Sequence, residues 1–318
     1  MHSISNNDKD PTVSFGLAVR NGSAHLQTAI ESILLQSYPN FELIISDNNS
    51  NDDTVKICNG FVQKDSRIRL INQPKNMGAI ANFRYVALKA RGKYFAWVSD
   101  HDIWYPDWLH ELVHVLERNP SVVLTYPIVE NIGEFGEIFE SSCHKKFETH
   151  GVERKERIKA LYLRGEGYGN IVYGLFRREA LEKAGIYRNY LMPDVLLLWE
   201  ISMYGSLKLV PKKLWYRRKA KTRFSIERQK QMCFSRPPWY ISLPWPITNS
   251  VSLLWTTVLN TNVGFLSHRI DGLILTFLFL AKHFKLLAKP NHYNIKGKQV
   301  TVPSKFLNKF ADIIVKHL

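Results

Sequence analysis

The chain has 318 residues, 45% of them hydrophobic and 22% charged, a balance that fits a packed globular protein and excludes a mainly disordered one. Its net charge of +15 is unevenly placed: residues 1–150 hold 14 Lys/Arg against 18 Asp/Glu, a net −4, whereas residues 151–318 hold 29 against 10, a net +19. A basic excess confined to one half, with no recognisable reader motif, argues against nucleic acid as the partner, and three scattered cysteines (Cys58, Cys143, Cys233) make neither a zinc site nor a disulfide framework.

In chain order, residues 13–19 (VSFGLAV) form a short apolar run that reads as a buried strand, ending in Arg20-Asn21-Gly22-Ser23. Residues 25–36 follow with helical periodicity through Leu26, Ile30, Ile33 and Leu34. A second strand over 41–46 (FELIIS) runs into the polar cluster 47–53, which leads to a helix from Thr54. Residues 67–72 predict a third strand, 76–90 a helix, and 94–99 (YFAWVS) a fourth strand. This alternation with short connections implies a doubly wound, mostly parallel sheet flanked by helices, whose ligand crevice lies beyond the carboxyl ends of the strands. The loops after strands one, two and four should therefore converge. Residues 120–220 read as a mixed strand–helix block, with the loop 169–174 and a helix-like run at 195–204.

The sharpest local signal is Ser99-Asp100-His101-Asp102 at the end of the fourth strand. Two carboxylates flanking one residue there can face a crevice, where a divalent cation relieves their repulsion; oxygen ligands suit Mn2+ or Mg2+. The alternative is a polar turn in which Asp102 or Asp107 caps the next helix. Asp47 and Asn48, after strand two, have the donors and acceptors to read a pyrimidine edge, or they form an Asx-rich turn.

Taken together, Val19-Arg20-Asn21-Gly22, the run Asp47 to Thr54, Asn76-Met77-Gly78 and Ser99-Asp100-His101-Asp102 resemble the family 2 glycosyltransferases in order and spacing. The resemblance covers roughly residues 11–220. It implies a GT-A fold, with a nucleotide-sugar-binding half at 11–120 and an acceptor half at 121–220, a flexible stretch at 1–10, and a separate helical, basic and aromatic region at 221–318. It further implies a nucleotide-diphosphate sugar donor, UDP-linked, and inverting transfer to an acceptor hydroxyl. Val19, Asn21, Asp47, Asn48, Asn76, Gly78 and Asp100 would bind the nucleotide. Asp102, with Asp100, would hold the metal. The sequence departs from the family at Asn48-Asn49, where Asp-Gly is frequent, and at Arg20, where many members have Tyr.

An inverting transfer needs a base for the acceptor proton. Asp194, in Met192-Pro193-Asp194-Val195, sits where the resemblance places that residue, and it could equally cap the following helix; Glu200 is the alternative base. Gly169 and Asn170 read as a loop bordering the acceptor or as a plain turn. Residues 237–268 carry no formal charge but hold Trp239, Tyr240, Trp245 and Trp255, with too many Pro, Asn and Ser/Thr for a spanning helix. Either this stretch lies in a membrane interface, suiting a lipid-linked rather than a free saccharide acceptor, or it packs on the domain or in a homodimer. The first residues lack the apolar core of a secretory leader, so the expected location is cytoplasmic, at the inner membrane face. Two rival readings are a sugar nucleotidyltransferase, against which the glycine- and lysine-poor loop after strand one argues, and an inactive, membrane-attached binding protein with the same fold.

Overall fold

The computed structural model describes residues 10–138, 147–163, 168–219, 225–259 and 266–283. The first half alternates as its pattern predicts: β1 (Val13–Val19), α1 (Leu26–Leu34), β2 (Phe41–Asp47), α2 (Thr54–Val62), β3 (Ile68–Asn72), α3 (Ala79–Leu88) and β4 (Tyr94–Val98). Then come β5 (Ile103–Trp104), α4 (Trp108–Arg118), β6 (Val122–Ile132), α5 (Arg154–Leu163), a 3₁₀ turn (Tyr168–Tyr173), β7 (Leu175–Arg177), α6 (Arg178–Lys183), α7 (Pro193–Ile201) and β8 (Ser206–Arg218). The chain continues with α8 (Ile226–Cys233), a 3₁₀ turn (Trp239–Ser242), α9 (Trp245–Leu254), a π turn (Trp255–Leu259) and α10 (Leu266–His283).

These strands form one sheet of order β3-β2-β1-β4-β7-β6-β8-β5. The β3-β2-β1-β4 block is parallel, with Val19 opposite Asp47 and Asp47 opposite Asn72, so the loops after these strands emerge on one edge. The second half is mixed: β7 runs antiparallel between β4 and β6, β6 and β8 are parallel, and β5 closes on β8 antiparallel. β1 and β2 are buried along almost their whole length because helices cover both faces of the sheet. Alternate residues of β4 serve the two layers: Phe95 and Trp97 join one core, Tyr94, Ala96 and Val98 the other. Trp97 packs edge-on against Phe95 and Phe176 and stacks on Tyr187 with ring centroids 4.5 Å apart. α1 buries Leu26, Ala29, Ile30 and Ile33, the face its periodicity marks.

Two expected boundaries shift. The helix expected from residue 76 starts at Ala79, because Gly78 takes φ +87° and leaves Asn76–Gly78 as a loop. The helix-like run at 195–204 is α7, which starts earlier, at Pro193, a residue suited to a first helical position. The carboxyl-terminal helices share the core of the α/β layers: Trp245, Leu253, Leu275, Leu278 and Phe279 belong to the same apolar cluster as Trp97 and Trp199. Phe279 meets Trp199 edge-on at 5.2 Å. Among the described residues no helix is long and apolar enough to cross a membrane. The flexible stretch expected at 1–10, all but Asp10, lies outside the described residues, as do Cys143 and residues 284–318 of the basic extension.

Candidate active site

The loops after β1 and β2 are tied together by short polar bonds. The Asn21 amide donates to Ser50 Oγ (2.8 Å), Gly22 to Thr54 Oγ1 (2.9 Å), and the Asn51 amide to Asn21 Oδ1 (3.0 Å). Asn21 adopts φ +55°, a conformation Asn tolerates better than most residues. Asp52 accepts from Ser23 and Thr54, and although burial opposes it these bonds hold its carboxyl down at about 2. Asp47 is buried at the end of β2; its Oδ2 accepts the Ser50 amide (3.0 Å), and its Oδ1 is buried without a hydrogen-bond partner. A buried carboxylate oxygen left unmatched is costly.

Asn48 and Asn76 are bound to each other. Asn48 Nδ2 donates to Asn76 Oδ1 (3.0 Å), Asn48 Oδ1 accepts from the Met77 amide (2.8 Å), and Asn76 Oδ1 also accepts from Gly78. The Asn48 amide in turn donates to the Val19 carbonyl (2.8 Å). Val19, Asn48, Asn76 and Gly78 therefore lock the loops after β1, β2 and β3 into one rim. A Cβ on Gly78 would stand 2.4 Å from the Cys233 carbonyl, so glycine there lets the end of α8 close over this rim.

The loop after β4 joins this rim through Gly22: a Cβ on Gly22 would stand 2.3 Å from Asp100 Oδ2. Asp100 Oδ1 lies 2.6 Å from His101 Nδ1, while His101 Nε2 lies 3.8 Å from Asp102 Oδ1. Burial alone would lower the His101 pKa, but the bond to Asp100 and the charge of both carboxylates raise it.

Asp102 is buried; its Oδ2 accepts from Trp215 Nε1 (3.1 Å) and its Oδ1 from the Arg218 amide (2.8 Å). Burial pushes its carboxyl upward in spite of these donors. It does not cap a helix: the residue before α4 is Asp107, whose carboxylate accepts from Ser37 Oγ instead. Asp102 and Asp100 offer the carboxylate oxygens that a hard divalent cation prefers, and each oxygen keeps a lone pair beyond the one its protein donor uses. Among the described residues, no group of three or more His, Cys, Asp and Glu gathers into a ready-made metal cage. A cation here would be shared between this pair and the oxygens of a ligand.

Two cavities are lined by candidate residues, one by Asp100 and the other by Asp194. One, of about 820 Å³, is lined by Asn21, Gly22, His25, Asp100, His101 and Arg218. The other, of about 260 Å³, is lined by Gly169, Tyr173, Tyr187, Asp194, Arg217 and Cys233. Asp194 lies in the first turn of α7, and Met192 occupies the capping position in the left-handed conformation, so Asp194 is not the N-cap. Burial raises the Asp194 carboxyl; the amides of Val195 and Asp194 itself and the charge of Arg217 oppose the rise. Gly169 lies against the Asp194 carboxylate, and Asn170 Oδ1 accepts from Arg217 Nη1 (2.6 Å). Glu200 faces neither cavity. It is 2% exposed and paired with Arg188 Nε at 2.7 Å.

Arg217, Arg218, Trp215 and Tyr173 were not among the residues singled out from sequence. Trp215, Arg217 and Arg218 arrive because β8 pairs with β5 and β6, which sets Trp215 opposite Trp104 and Arg217 opposite Asn131, while Tyr173 ends the 3₁₀ turn before β7. For the β8 residues the signal in the sequence is the Tyr-Arg-Arg end of a strand that also carries Lys208, Lys212 and Lys213, more than 100 residues from the acidic pair.

A family model described as glycosyl transferase family 2 matches residues 14–185. An uncharacterized glycosyltransferase of Haemophilus influenzae is 33% identical over 113 residues, 36% of this chain and 45% of that protein, so the match spans less than half of the relative. The structure of S. aureus TarS 1-349 in complex with UDP-GlcNAc superposes over 90% of this chain and 76% of that one, with TM-score 0.61 and 17% identity. GalNAc-T7 with UDP, GalNAc and Mn2+ superposes over 70% and 47%, with TM-score 0.54 and 14% identity. The likeness to these structures establishes a GT-A fold, and since the family model spans more than half of the sequence, including the loops after β1, β2 and β4, this chain belongs to glycosyl transferase family 2.

Proposed function

We propose that the protein transfers a sugar, with inversion, from a uridine diphosphate sugar to an acceptor hydroxyl. The observation that carries this reading is the joining of three loops, those after β1, β2 and β4: the Asn21 and Gly22 amides are bonded to Ser50 and Thr54 of the Asp47 loop, and Gly22 abuts Asp100. Asp47, with its unmatched oxygen, is the group for a base N–H, and Asn21 and Asp100 border the diphosphate path. A Mn2+ or Mg2+ ion would be held by Asp102 and Asp100, and when bound it would neutralise the departing diphosphate.

In the transfer, an acceptor oxygen forms a bond to the anomeric carbon as the bond from that carbon to the β-phosphate oxygen breaks, and Asp194 takes the acceptor proton. Burial of Asp194 raises its proton affinity above that of an ordinary carboxylate, which favours the role of base. Burial raises both the Asp102 and the Asp194 carboxyls, and the charge of Arg217 opposes the rise at each. The acceptor is a saccharide, free or lipid-linked, used on the cytoplasmic side of a membrane.

Calorimetric titration with UDP tests the reading. UDP should bind more tightly with Mn2+ present, and Asp102→Ala should erase the metal dependence. UDP affinity that is identical with and without metal in the parent protein would overturn the metal-bridged site.

A further inference from the structure

A third cavity, of about 560 Å³, is lined by Arg84, Arg188, Asn189, Tyr190, Val251, Ser252, Trp255 and Thr256. Its two arginines are unequally matched. Arg188 pairs with Glu200, whereas Arg84 donates to the Gly185 and Tyr187 carbonyls and has no carboxylate partner among the described residues. Burial lowers the Arg84 pKa, and repulsion from the Arg188 guanidinium adds to it. An anion in the cavity would relieve that repulsion.

The rim of this cavity is apolar and open. Ile247, Val251, Trp255 and Leu259, four residues apart, form one row along α9 and the π turn, exposed by 38%, 59%, 63% and 54%. Val251 and Trp255 belong both to that row and to the cavity wall. Trp239, 79% exposed, packs on Tyr240, which packs on Tyr190 of the wall. No Asp or Glu occurs between residues 237 and 268. A soluble anion has no use for such a rim. A lipid, which joins an anionic phosphate to a hydrocarbon, matches both parts.

We propose that the α9 face is a docking surface for an anionic lipid bilayer, with Trp239, Val251 and Trp255 entering the interface and a lipid phosphate seated between Arg84 and Arg188. Phe83 and Tyr187 line the Asp194 cavity, and their sequence neighbours Arg84 and Arg188 line this one. A headgroup held here is thus next to the acceptor side of the site, a consequence that rests on the glycosyl-transfer reading above.

The test is co-sedimentation of the full chain with phosphatidylcholine vesicles, with and without phosphatidylglycerol, alongside UDP titration of the same samples. Binding should be about tenfold stronger with phosphatidylglycerol. Val251→Ser/Trp255→Ser should lower it about tenfold without changing the melting temperature or UDP affinity. Arg84→Gln should remove the preference for phosphatidylglycerol; Asn189→Glu, a change on the exposed wall of the cavity, should do the same if Arg84→Gln lowers the melting temperature. Three results would overturn the proposal: no vesicle binding while UDP still binds, unchanged binding by the Val251/Trp255 variant, or quenching of Trp255 by inorganic phosphate without attachment to vesicles. A concentration-dependent doubling of mass abolished by Val251→Ser/Trp255→Ser would instead assign the face to a second copy. Failure of UDP binding alone would count against the proposed function and leave the docking face standing.

Discussion

At Gly22 there is no room for even one methyl group: its Cβ would stand 2.3 Å from Asp100 Oδ2 and 2.7 Å from Val19 Cγ2. Gly22→Ala should therefore push the acidic loop away from the β1 rim and lower UDP affinity or turnover by about 10²-fold, as displacements of about 1 Å do at such sites. Isothermal titration and steady-state kinetics would read the loss. Asp194 and Glu200 make opposite predictions. On the proposed function Asp194→Asn should lower kcat by about 10²–10⁴-fold with UDP affinity intact, because it would remove only the proposed proton acceptor. Glu200→Gln should leave kcat nearly unchanged, since Glu200 serves Arg188 in the core. At this scale Asp100, Asp102 and Asp194 were legible in the sequence as candidates because each stands at the end or beginning of an apolar element. The partners of Asp102 were not: Trp215 and Arg218 are brought to it by strand pairing between distant segments.

Among the elements, α7 is held by a buried charge pair. Arg188 and Glu200 are 26% and 2% exposed, and Thr256 after α9 also donates to Glu200. Arg188→Met should cost about 3–5 kcal/mol in urea unfolding, because it strands a buried carboxylate, and Arg188→Met/Glu200→Met should recover most of it. The same pair sets a pH dependence. Burial raises the Glu200 carboxyl from its ordinary 4.5 to about 7, against the pull of Arg188. The folded state thus binds this proton more tightly than the unfolded state does. The associated stability is fully present below about pH 4.5 and is lost as pH rises to about 7. Comparing melting temperatures across that window should show a steeper fall in the parent protein than in Glu200→Gln.

For the whole molecule, the telling feature is that α9 and α10 complete the core around Trp97 and Trp199. Phe279, fully buried against Trp199 and Trp245, should cost about 3–5 kcal/mol when changed to Ala, and calorimetry should still show a single transition. A second, independent transition would mean that the helices after residue 225 fold as a unit of their own. One face of α9 is thus committed to the interior while its row from Ile247 to Leu259 is left outside, which sequence periodicity could not apportion in a stretch apolar on several sides.

The order β1-α1-β2-α2-β3-α3-β4 follows from local pattern alone. Short, largely apolar runs, polar clusters at their carboxyl ends and 3.6-residue periodicity between them are short-range properties, and together they lead to a parallel block whose loops emerge on one edge. The second half was decided only by tertiary structure. There β7 runs against its neighbours, and β8 crosses to β5 and β6 to deliver Arg217 and Arg218. Which partner a strand takes at long range depends on the surfaces left uncovered once the parallel block has formed, and no residue in β8 carries that information by itself.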